Sequence, residues 1–112
     1  MGAAPRIELL WWQGCPSTER ALEILREEVS GLGLEPDAIE LTEVRTDADA
    51  ERTEFVGSPT VRVNGRDVQA PDGDPVGLTC RVYRLRDGRI SPLPDREDLR
   101  EALARAVEEE GN

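Results

Sequence analysis

Lysine and histidine are absent from this chain, and every one of its 14 basic side chains is arginine. Their absence excludes a Schiff-base lysine, a Ser-His-Asp triad and a histidine-ligated zinc site. Cysteine occurs only twice, as Cys15 and Cys80, too few to staple a small disulfide scaffold. No apolar run approaches the roughly 20 residues that span a bilayer. A secretory leader is also not legible, since Met1 to Pro5 has no basic cluster and Ile7 to Trp12 is too short an apolar core. A reducing, cytoplasmic setting is therefore expected, where cysteines serve catalysis, redox sensing or metal binding more than structure. Positive charge is outnumbered, with a net charge of −10 that argues against nucleic acid and against anionic membrane as partners. No metal, flavin or nucleotide cofactor is implied, and no Gly-rich phosphate loop is present.

What is present concentrates at one junction. Ile7 to Trp12 reads as a strand buried on both faces, and Gly14-Cys15-Pro16 turns it directly into a helix. Pro16 suits the first helical turn. Ala21, Leu22, Ile24, Leu25 and Val29 form the apolar stripe of that helix, which Gly31 to Gly33 ends. A thiol at a helix N-terminus meets unpaired N–H groups and a favourable dipole, which promote the nucleophilic thiolate. The competing reading of Cys15 is a small buried hydrophobe.

Farther along, Ile39 to Arg45 reads as a second strand and Asp47 to Phe55 as a short helix. Thr60 to Val68 alternates around Asn64-Gly65, a strong hairpin signal. Ala70 to Gly77 is a Pro-, Gly- and Asp-rich loop, and Cys80 to Leu85 alternates again before the Asp87-Gly88 turn. Asp95 to Glu110 is a terminal helix capped by Asp95. The order β-α-β-α-β-β-α predicts one α/β domain over residues 1–112, a mixed sheet with helices on both faces.

That order, with Cys15 after the first strand and Ser58-Pro59 opening the third, resembles the thioredoxin and glutaredoxin superfamily across nearly the whole chain. Trp11 stands four residues before Cys15, where thioredoxins often carry tryptophan. Trp-Trp-Gln-Gly-Cys-Pro, Gly-Ser-Pro-Thr and Leu-Thr-Cys-Arg-Val-Tyr are more narrowly similar to small bacterial thioredoxin-like proteins, some of which carry alkylmercury-lyase labels. The resemblance implies a thioredoxin-like three-layer fold, Cys15 as attacking thiol, and a cis Pro59 facing it. It also implies that Ser58 offers its backbone to an extended substrate. Thr18 replaces the usual second cysteine, and Leu9 replaces the usual buried acid. Both departures count against ordinary thioredoxin-type dithiol reduction.

The leading expectation is thiol-disulfide exchange, with Cys15 as nucleophile, Thr18 stabilising its thiolate, and Cys80 or external glutathione resolving the mixed disulfide. Trp12, Pro16, Ser58 and Pro59 are the expected substrate-binding residues. Trp11 and Trp12 point to opposite faces, one to the core and one to the site. Cys80 has two placements. If Arg66 to Val68 runs back toward Cys15, Cys80 reaches the active end, which the Asn64-Gly65 turn favours. If Cys80 to Leu85 pairs directly with Thr60 to Val63, Cys80 is distant packing. Arginines 62, 66, 81, 84, 86 and 89 read as solvated strand faces, one or two of which could hold the carboxylates of glutathione. The rival expectations are a soft-metal module in which two thiolates bind mercury or copper, and a non-catalytic interaction domain. Oligomeric state and physiological substrate are not legible.

Overall fold

The computed structural model describes residues 4–110, with the side chain of residue 110 left aside. Strand β1 (Ile7–Trp11) is followed by helix α1 (Thr18–Gly31), a 3₁₀ turn at Pro36–Ala38, strand β2 (Glu40–Glu43) and helix α2 (Asp47–Thr53). Strands β3 (Thr60–Val63) and β4 (Arg66–Asp67) form a hairpin, β5 (Tyr83–Arg84) and β6 (Ile90–Ser91) a second, and α3 (Arg96–Glu110) closes the chain. The result is an α/β architecture on a mixed four-stranded sheet of order β2-β1-β3-β4. Strand β1 pairs parallel with β2 (Leu9 opposite Leu41) and antiparallel with β3 (Leu9 opposite Val61). Strands β5 and β6 make a separate ribbon, so the alternation from Cys80 to Leu85 yields a much shorter strand than its pattern suggests.

Alternation along β1 divides the core. Ile7 and Leu9 face α1 and α3, packing with Leu25, Val29, Leu99 and Leu103. Leu10 faces the other way, against Ala50 of α2 and Phe55. Period-two geometry is what sends neighbouring side chains to opposite layers. Glu28, buried on α1, ties that helix to α3 by accepting from Arg96 at 3.1 Å and Arg100 at 2.7 Å. Asn64 and Gly65 both hold positive φ (52° and 81°), the two-residue turn that matches strand twist. Asp95 Oδ1 accepts from the Glu97 N–H at 2.9 Å, the capping bond expected of it. Among the described residues, no helix is long and apolar enough to cross a membrane.

Candidate functional site

The first helix begins later than its sequence suggests. Ser17 is the N-cap and Thr18 the first helical residue, so Pro16 lies just outside the helix and Cys15 one residue further back. The turn is closed by the Cys15 N–H donating to the Trp12 carbonyl at 3.0 Å. From there the Cys15 sulfur receives the Ser17 N–H at 3.4 Å, an unpaired donor of the helix entry. Its own S–H donates to the Ser58 carbonyl at 3.2 Å. Cys15 is only 8% exposed.

Across from Cys15, the Ser58–Pro59 peptide bond is cis, as the resemblance implied. The Ser58 hydroxyl ties the two sides together, accepting from the Trp12 N–H at 3.0 Å and lying 3.3 Å from the Thr18 hydroxyl. Ser58 does not offer its backbone to a partner in the expected way. Its N–H donates to the Thr79 carbonyl and its carbonyl accepts from the Arg81 N–H, each at 2.8 Å. Residue 80 forms a parallel bridge with residue 58. The chain's own segment 79–81 occupies the edge that an extended substrate was expected to use.

That bridge carries Cys80 to the Cys15 end of the sheet. Both cysteines are free thiols, Cys15 buried and Cys80 exposed. The two thiols lie near enough for each to shift the acidity of the other. Burial pushes the Cys15 thiol up, but the Ser17 N–H and the hydroxyl or thiol groups of Ser58, Cys80 and Thr18 together hold it below the ordinary value. Cys80 moves the opposite way, raised by burial and by the neighbouring Cys15 charge. One thiol is thus readied to ionise while the other keeps its proton.

A buried ionic cluster, which sequence reasoning missed, supports the Cys80 segment. Arg81 is 4% exposed, not a solvated strand residue or a glutathione-binding arginine. Its Nη1 donates to Asp67 Oδ2 at 2.6 Å and its Nη2 to the Gln69 carbonyl. The guanidinium stacks 4.3 Å from the centre of the Tyr83 ring, and the Tyr83 hydroxyl donates to the Pro59 carbonyl at 2.6 Å. The only sequence signal was Arg81 and Tyr83 sharing alternation beside Cys80. The other arginines of that region also have partners, Arg66 with Glu109, Arg84 with Asp72, Arg86 with Asp98 and Glu101, Arg89 with Asp87, and Arg62 with the Thr53 carbonyl.

A groove of about 530 Å³ opens on Cys15, lined by Trp11, Pro16, Leu22 and Leu41 with Gln13, Glu19 and Glu43. It is Trp11, not Trp12, that walls this groove, because the strand alternation turns Trp12 toward the α2 layer. Trp12 packs there against the Leu10 and Phe55 cluster and lies over Gly14, where an added Cβ would collide with its ring. A smaller cleft of about 140 Å³, between α3 and the β3–β4 hairpin, contains no thiol. Among the described residues, no group of three metal-ligating side chains gathers anywhere. No protein-family model, curated protein or solved structure matches this chain.

Proposed function

We propose that this chain is a thiol-disulfide exchange protein of thioredoxin-like fold that works with two cysteines far apart in sequence. The observation that carries the reading is the convergence of both cysteines on Ser58, whose carbonyl takes the Cys15 thiol while its backbone bridges residue 80; their acidities shift in opposite directions. The strand and helix order, with a cis proline opposite the first cysteine, supports the fold assignment. The Cys15 thiolate attacks one sulfur of a partner disulfide, forming a mixed disulfide and expelling the partner's other sulfur as a thiolate. Cys80 then gives up its proton and attacks the Cys15 sulfur, closing Cys15–Cys80 and releasing the second partner sulfur. The partner gains two electrons, the protein loses them, and the two thiol protons end on the partner's sulfurs.

Oxidation with hydroxyethyl disulfide, acid quenching and intact mass measurement test this. A monomer lighter by two hydrogens is expected, and Cys15→Ser or Cys80→Ser should abolish that species. Only mixed disulfides or Cys15-linked dimers would mean a single-thiol protein. A second reading draws on the same facing thiols: two sulfurs suit a soft ion such as Hg(II) or Cu(I). Tight mercuric binding without any internal disulfide would favour it.

A further inference from the structure

Cys15 has two distinct flanks. On the β3 side stand Ser58 and Cys80, and the Ser58 backbone is already filled by Thr79 and Arg81. On the β2 side lies the groove walled by Trp11, Leu22 and Leu41. Displacement at sulfur runs in line, so the attacking and leaving sulfurs lie on opposite sides of the sulfur under attack. When Cys80 attacks Cys15 from the β3 flank, the partner's sulfur must depart on the β2 flank, into that groove.

The groove's surface describes its occupant. Leu41 is 52% exposed although it sits opposite Leu9 in the sheet, leaving an apolar side chain uncovered beside a nucleophile. Strand β2 is the edge of the four-stranded sheet, so its outer backbone groups are open to an added extended segment. The ionisable side chains lining the groove besides Cys15 are Glu19 and Glu43, with no cation among them. Glu43 is paired with Arg45 at 3.0 Å, an arginine outside the groove lining, while Glu19 makes no ion pair among the described residues. The chain as a whole carries −10. Glutathione, with more carboxylates than amines and no apolar side chain, is poorly matched to such a surface.

Resting on the thiol-exchange reading, we propose that this groove docks the redox partner, a polypeptide whose reactive cysteine is flanked by an apolar and a basic residue. Apolar contact with Trp11 and Leu41 holds it, Glu19 selects the basic neighbour, and edge pairing with β2 sets the register.

The test uses the wild-type protein and two activated peptides, the thiopyridyl disulfides of Ala-Leu-Cys-Arg-Ala and Ala-Ser-Cys-Glu-Ala, with oxidised glutathione as a third substrate. Each rate is divided by that of β-mercaptoethanol on the same disulfide, which removes intrinsic reactivity. A preference of about tenfold for the Leu/Arg peptide is expected from one apolar contact and one favourable charge. The double variant Leu41→Ser, Glu19→Gln should bring that preference to within about twofold, whereas Glu108→Gln on α3 should leave it intact. Equal normalised rates for the two peptides, or oxidised glutathione outrunning both, overturn this inference while the thiol-exchange reading stands. A Cys15 that outpaces β-mercaptoethanol on none of the three overturns both.

Discussion

The Arg81 guanidinium and the Asp67 carboxylate form a buried ion pair, 2.6 Å apart, immediately beside the residue that brings the second thiol to the first. Strand β4 supplies the carboxylate, and the chain's return after its long loop supplies the guanidinium. Arg81 also donates its N–H to the Ser58 carbonyl, so one residue anchors Cys80 through both side chain and backbone. Breaking a buried pair by removing one partner leaves an uncompensated charge, which costs about 3–5 kcal/mol. Arg81→Met is therefore expected to lower the urea midpoint markedly. Beyond stability, it should weaken the Cys15–Cys80 disulfide against a glutathione redox buffer, while Cys15 alone keeps its alkylation rate in the folded variant.

Gly57 approaches the same segment from the other side. It holds φ at +132°, and a Cβ there would lie 2.8 Å from the Arg81 backbone nitrogen. Gly57→Ala should push residues 80 and 81 away from Ser58, because backbone cannot swing aside as a flexible side chain can. Slower closure of the internal disulfide, followed by mass spectrometry after quenching, is the expected result. Unchanged closure would mean that the Thr79–Arg81 segment does not set the thiol separation.

Alkylation across pH should distinguish the thiols. The unperturbed thiol titrates near ~8.5. Cys15 lies below its ordinary value because its bonds outweigh burial, and Cys80 lies above because burial and the Cys15 charge act together. As pH rises, Cys15 should therefore react first, with Cys80→Ala used to isolate it. Cys80→Ala, Ser58→Ala and Thr18→Val should each raise the Cys15 midpoint relative to wild type, since each removes a donor to the thiolate. A midpoint that does not move in any of them would leave the Ser17 N–H as the sole source of the shift.

Acid should loosen the contact between the first and last helices. Hydrogen bonding from Arg100, followed in size by the opposing effect of burial, holds the Glu28 carboxyl below its ordinary range. A carboxyl depressed in the folded state stabilises above its unfolded pKa of ~4.3 and loses that contribution as pH falls through the folded value. Glu28→Gln should consequently lower stability at neutral pH and flatten the loss of stability at acid pH, measured by denaturant titration over the pH range. A parallel downward shift at every pH would assign Glu28 a packing role only.

Local pattern sufficed for much of the framework. The apolar run from Ile7 to Trp12, interrupted only by Glu8, the alternation around Asn64-Gly65 and the Asp95 cap each point to a single backbone conformation through forces acting within a few residues. The same is true of Cys15 standing at a strand-to-helix turn, because that turn needs only Gly14, Pro16 and the stripe that follows. Which tryptophan walls the groove was not legible. Strand alternation says that Trp11 and Trp12 diverge, but only the positions of α1 and α2 say which layer each one meets.

The position of Cys80 shows where local reading ends. The sequence left it two placements, favouring the one at the Cys15 end through the Asn64-Gly65 turn, and what holds it is a single bridge to Ser58 and a buried arginine. Arg81 reads as a surface residue in any window of the sequence, since its partners Asp67 and Gln69 come from a separate segment across a Pro- and Gly-rich loop. Sequence alone determined that one cysteine would sit at a strand-to-helix turn near the entrance of a helix, because strand, turn and helix propensities are short-range. Between the two placements open to the other cysteine, tertiary structure decided, because its bridge to Ser58 is held by a long-range ion pair whose burial is tolerable only when both charges meet.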